Sequence, residues 1–199
     1  MNPAILTALL GFAFVSTITP GPNNLMLMAS GANFGFRRTL PHMLGITGGL
    51  SLMALLVGAG LMALFDAVPS LNYVLKALSV GYLLWLALKI ATAAPLEEHS
   101  AGSRPMTFIQ AATFQWVNPK AWAMCMSAIT LYAPDRSLLS VAFVAGAFGL
   151  VCFPAISVWA WLGTVVRQWL SNATRLRIFN ITMAALLVAS LYPVLSLDA

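Results

Sequence analysis

The chain has 199 residues, 60% of them hydrophobic and only 8% charged, with a formal net charge of +5. A soluble domain carries about 25% charged residues, so this chain cannot cover its own surface with polar groups. A soluble fold is excluded, and the basic residues sit in particular loops rather than on the single stripe a nucleic-acid binder needs.

Six apolar segments follow one another, at about 4–33, 42–65, 72–91, 106–133, 138–166 and 177–196. Each approaches the ~20 residues that cross ~30 Å of hydrocarbon. The predicted fold is an all-α integral membrane protein, residues 1–199 forming a single membrane domain. The first segment opens MNPAILT, with no basic leader region and no small-residue cleavage site after it, so it is expected to stay in the mature chain. It is interrupted by TPGPNN: Thr19, Pro20, Gly21, Pro22, Asn23 and Asn24. Pro41 and Pro69 mark the next joints, and Pro95, Pro105 and Pro134 the later ones. The second segment carries GITGGL at 45–50, and the third closes on GYLLWLALKIA. A charged loop, about 92–105, contains EEHS. The fourth segment is interrupted by QWVNPKAW, the break falling at Asn118, Pro119 and Lys120. The fifth carries GAFGL at 146–150 and a kink is expected at Pro154. Cys125 and Cys152 lie in apolar runs and read as buried small hydrophobes. NAT at 172–174 and NIT at 180–182 match a glycosylation pattern by chance, since both fall on the cytoplasmic side of the topology argued next.

Lysine and arginine placement sets the orientation. Arg37, Arg38, Lys89, Arg104, Arg167, Arg175 and Arg177 follow segments one, three and five. The other side has only Lys76 and Arg136, with Asp66, Asp135 and Asp198. The first set is expected to be cytoplasmic, with both termini outside.

Both interruptions fall in mid-segment. Pro20 is 17 residues from Pro3 and 17 from Arg37, and Pro119 is 15 residues after Arg104. At ~1.5 Å per residue both lie near the bilayer centre. Broken backbone in hydrocarbon is tolerated only where it is buried in protein or lines a wet cavity. A simpler reading remains, in which TPGPNN ends the first span and the chain loops back through the headgroups. LMLMASGANF is too apolar for a solvated loop and too short to span alone. The halves correspond, repeat one at about 1–92 and repeat two at about 106–199. Each has three spans, opens with a broken one and continues with a glycine-rich one. Three is odd, so two such units lie inverted, the arrangement of many transporters.

The breaks supply amides from Asn23, Asn24 and Asn118, hydroxyls from Ser16, Thr17 and Thr19, and the ammonium of Lys120, the ionisable side chain placed near the centre. A mid-depth lysine is a functional candidate. The alternative is that Lys120 caps carbonyls freed by Pro119. Helices restarting after Pro22 and Pro119 present free N–H groups and positive dipole ends, which with Lys120 make a seat for a carboxylate. Carbonyls left open before each break would take an ammonium. No Asp or Glu falls in a span interior, which favours a small neutral zwitterion over a cationic substrate. Trp116 and Trp122 flank the second break, as cavity wall or as aromatics facing lipid or core.

TPGPNN, NPKA and GYLLWLALKIA, in this order over nearly the whole chain, resemble the LysE/RhtB family of amino-acid exporters. ASGANFGFRRTLPHMLGI is most similar to the cysteine and O-acetylserine exporters within it. The resemblance implies export of small amino acids or derivatives from the cytoplasm of a bacterium across its inner membrane, driven by an ion gradient, expected to be protons. It places Pro20, Gly21, Pro22, Asn23 and Asn24 on one signature and Asn118, Pro119 and Lys120 on the other. Export of homoserine- or threonine-type substrates, or a channel for small zwitterions, stays open. No catalytic set, metal or cofactor is expected: His42 sits only at the cytoplasmic entrance and His99 in the charged loop, no nucleophile–base–acid group assembles, and two separated cysteines are no metal cluster. The expected partners are the zwitterion and membrane lipid, not nucleic acid. Self-association is compatible with the sequence.

Overall fold

A computed structural model describes residues 3–93, 104–170 and 172–192, and these are helical apart from their joints. Pro95, EEHS with His99, and Asp198 lie outside the described residues. Helix α1, Pro3–Ile18, meets α2, Pro22–Phe34, at a bend of 58° across the TPGPNN break. Helix α3, Phe36–Leu56, runs through a π-helical turn at Val57–Leu61 into α4, Met62–Ala67, and α5 follows at Ser70–Ala91. The fourth segment is divided into α6, Phe108–Phe114, a 3-10 turn at Gln115–Val117, and α7, Pro119–Tyr132. Helix α8 is Leu138–Arg167 and α9 is Ala173–Ala189.

Three of these helical stretches are long and apolar enough to cross a membrane: Phe36–Leu61, Ser70–Ala91 and Leu138–Arg167. The bent pair α1–α2 brings the number to four if it counts as one span. Helix α9, with 17 residues, falls below that length, and α6 and α7 reach it only together.

Pro41 does not mark a joint. It lies inside α3, where its missing donor removes one hydrogen bond near the start of the helix. The turn between α2 and α3 is made by Gly35 alone, at φ +83, a conformation that costs glycine nothing. A second positive φ, +106 at Gly60, lets the π-helical turn bend the chain into α4.

Packing is set by close approaches at small residues. A side chain at Gly31 of α2 would run into the backbone of Ala160, and one at Gly163 of α8 into that of Met28 and Ala32. Gly45 and Gly49 of α3 are closed in the same way by Phe108 and Ala112 of α6. The two glycines of GAFGL make no such backbone approach; Gly149 meets only the Ser51 hydroxyl and Gly146 faces open space. The half-helices are exchanged: α1 packs on α8, while α6 packs on α3. Each half of the chain thus leans its leading half-helix on the long helix of the other. The main core, around Leu27, Met53, Phe148 and Ile156, lies where these elements cross. Cys125 and Cys152 are both buried within it as free thiols.

Candidate functional site

The two breaks meet. Asn23 Nδ2, in the first turn after break one, donates to Gln115 Oε1 at 2.8 Å, and Gln115 Nε2 returns a bond to Asn23 Oδ1 at 3.2 Å. Gln115 is fully buried just before break two. Lys120, in the first turn of α7, crosses the other way. Its Nζ donates to the carbonyls of Thr19, and of Pro20 at 3.2 Å. The carbonyls that Lys120 meets are thus those of the opposite break, not the ones freed by Pro119.

Most of the remaining polar groups also serve the broken ends. A helix stopped in an apolar setting leaves carbonyls that must find donors. Asn24, buried, donates to the carbonyls of Thr17 and Thr19, both at 2.8 Å, and more weakly to that of Ile18. The Trp159 indole of α8 donates to Ile18 O at 2.9 Å. Break two is treated in kind: the Trp122 indole donates to Trp116 O at 2.9 Å, and Asn118 Oδ1 accepts from the Lys120 backbone N–H at 3.1 Å. The two tryptophan rings pack edge to face with centroids 5.9 Å apart. Trp122 belongs to the core, not to the cavity wall. The carbonyls expected to take an ammonium are, before break one, already taken by side chains of the protein.

Gly21 is there for space. Its φ of −177 is ordinary extended backbone, but a Cβ would come 2.7 Å from Lys120 Cδ and 3.1 Å from Nζ. Unlike α7, helix α2 begins without a side-chain cap, so its first N–H groups stay open beside the Lys120 ammonium. Thr19 and Pro20 are exposed on the outer edge of the crossing, Pro22 is buried at the first turn of α2, and Pro119 opens α7 half-buried. Next to these lies a cavity of about 20 Å³, polar on the side of Ser16, Asn23, Asn24, Asn118 and Lys120, apolar towards Ile46 and Met124. That holds about one water molecule. At that volume the crossing is closed to anything the size of an amino acid.

The nine residues of the two breaks, 19–24 and 118–120, all sit at this crossing. Gln115 and Trp159 were missed. Gln115 had a signal, an amide in an apolar run three residues before Asn118; Trp159 had none, because an indole N–H in a span looks like any other core aromatic.

Residues 14–190 match the family described as LysE type translocator. Proteins called cysteine/O-acetylserine efflux protein, from Escherichia coli (strain K12) and from Shigella sonnei (strain Ss046), are each 29% identical over 196 residues, covering 94% of this chain and 96% of the relative. No solved structure matches the chain.

Proposed function

We propose that this chain, which belongs to the LysE type translocator family, is a secondary exporter of small neutral amino acids and their derivatives, of the cysteine and O-acetylserine type, coupled to the proton gradient. The observation that carries the reading is the crossing itself, where one ammonium and the open start of α2 face each other with no carboxylate among the residues that line the cavity. Such a centre suits a carboxylate and offers a second positive charge no counter-ion. The relatives' names point the same way.

A mechanism follows from the bonds of Lys120. In the closed crossing its ammonium rests on neutral carbonyls. A carboxylate is the stronger partner, since bonds between ionised groups are about twice as strong as neutral ones. Substrate would draw Lys120 off Thr19 and Pro20, release the end of α1, and free the bend between α1 and α2 to change. Binding and opening are then one event, as population shift requires of any ligand that drives a conformational change.

We read the membrane arrangement as six spans in two inverted three-span repeats, with the α6–α7 pair as the fourth span and α9 in the sixth. The exchange of half-helices supports it, because α1 on α8 and α6 on α3 are the same contact seen from the two repeats. In this arrangement the arginine-rich end is cytoplasmic and both termini are outside. The deciding experiment is efflux from loaded cells, using a panel of small amino acids with and without an imposed proton gradient. O-acetylserine should leave much faster than lysine or arginine, and faster with the gradient. Equal rates for lysine and O-acetylserine would sink the substrate class, and indifference to the gradient would sink the coupling.

A further inference from the structure

A second cavity, of about 600 Å³, opens between α2, α3, α5 and α6 at the arginine-rich end of the bundle. Its size falls in the range of small-molecule sites, roughly 300–1,000 Å³. Its wall contains polar side chains with atoms that find no partner among the described residues. His42 is 2% exposed, and neither ring nitrogen has a hydrogen-bond partner. Asn33 is similarly buried; its Nδ2 donates to Ala29 O at 2.8 Å and Asn180 Oδ1 at 3.1 Å, while its Oδ1 has no partner. Buried polar atoms are nearly always paired, and one left unpaired is unfavourable. Both residues line the cavity, but their unpartnered atoms are themselves buried, so a ligand there meets them only if the side chains turn into it.

The same cavity is lined by Lys89 and Arg104, and by no acidic side chain among the described residues. Lys89 Nζ sits 4.3 Å from the centroid of the Trp85 ring. That cation–π contact holds the ammonium against the cavity wall.

We propose that this vestibule is a binding site in its own right for a small carboxylate-bearing zwitterion, with the carboxylate on Lys89 and Arg104 and the ammonium on the Asn33 and His42 side of the wall, where a turn of either side chain brings an unpartnered acceptor to it. The proposal rests on the transport reading and deepens it: substrate is captured here before it reaches the closed crossing. Helix α2 joins the two sites, with Asn23 and Asn24 in its first turn and Asn33 in its last.

The test reads binding without transport. The full chain, with Cys125→Ala, Cys152→Ala and a reporter Ala93→Cys at the cavity wall, is placed in phosphatidylcholine nanodiscs and alkylated with a maleimide. O-acetyl-L-serine should slow alkylation, and its carboxamide should not. Lys89→Gln with Arg104→Gln should raise the half-protecting concentration about ten- to hundred-fold, the effect of losing hydrogen bonds to a charged group. Asn33→Leu, which keeps the rim charges, should weaken protection separately. Equal protection by the carboxamide, or no effect of the rim substitutions, would overturn the site. Shielding by added phosphatidylglycerol in place of the amino acid would mark the cavity as a lipid headgroup site and overturn it equally. Efflux without protection refutes the vestibule alone; protection without efflux refutes the exporter reading and leaves the vestibule standing.

Discussion

The crossing and the vestibule are both polar, and they differ in what the polar groups are doing. At the crossing, Asn24, Trp159, Trp122, Asn118 and Lys120 all bond to backbone freed by a break, and about 20 Å³ is left over. In the vestibule, about 600 Å³ is open, and His42 and Asn33 have atoms with no partner among the described residues. The lesson is that a helix broken inside an apolar medium first satisfies its own ends. Polar residues beside a break are therefore weak evidence for a ligand, whereas buried polar residues with nothing to bond are stronger evidence.

The largest effect expected is on the crossing. Lys120→Met keeps the apolar stem and removes the one charge among the described residues that line the crossing. Export should fall about ten- to hundred-fold, the equivalent of ~1.5–3 kcal/mol for a hydrogen bond to a charged group. Initial efflux rates at matched membrane expression measure it. Asn24→Leu should also lose export, because it strips the same Thr19 carbonyl of its other donor. Since the two side chains share that acceptor, the double mutant should be little worse than the poorer single one. Losses that multiply would mean that the two act independently, and wild-type efflux from either would make the break a structural turn only.

The next concerns what joins the two regions. Gly31→Ala or Gly163→Ala would force α2 off α8, since the obstruction is backbone and cannot rotate away. Overpacking of this kind costs about 1–3 kcal/mol, to be read as a lower thermal unfolding temperature in detergent. Vestibule protection should weaken with it, because α2 carries Asn33. A drop in stability with unchanged protection would separate the helix crossing from the vestibule.

A smaller effect is expected from the amide pair. Asn23→Leu breaks the neutral reciprocal contact, worth roughly 1 kcal/mol, and Gln115→Leu breaks it together with the bond to Ala111 O. A double-mutant cycle on unfolding should show coupling of the order of 0.5–3 kcal/mol, and none if the two breaks are held together by Lys120 alone.

These contrasts also show how far sequence reasoning reaches. Segment 138–166 was found as Leu138–Arg167 and 72–91 as Ser70–Ala91, because apolar runs flanked by charge or proline have sharp edges. The joint at Gly35 was misplaced towards Pro41, because one glycine at positive φ leaves a one-residue signal while proline near a helix start can be absorbed. Both breaks were legible, since Pro-Gly-Pro and Asn-Pro are rare inside such runs. Their bonding was not: Lys120 to Thr19 and Asn23 to Gln115 join residues 101 and 92 positions apart, and no local pattern encodes which carbonyl a flexible side chain will reach. His42 was noted only as lying at the cytoplasmic entrance, and the meaning of Asn33 depends on the absence of partners, which only the fold reveals.

The smallest effect should come from Gly81, and it sharpens the contrast by its sign. Gly81 lies in α5, one residue before Tyr82 of the vestibule wall, but a Cβ there meets nothing within 4 Å. Alanine is a better helix residue than glycine by about 0.5–1 kcal/mol, so Gly81→Ala should raise the unfolding temperature slightly and leave both export and vestibule protection unchanged. The comparison with Gly31 is then direct: the same methyl group is unfavourable where α2 meets α8 and favourable on the open side of α5. Should Gly81→Ala instead destabilise the protein, the face of α5 that is open in a single chain must be covered in the membrane. Dilution of the detergent-solubilised protein would then distinguish a second copy, whose loss makes the effect concentration-dependent, from lipid, which does not.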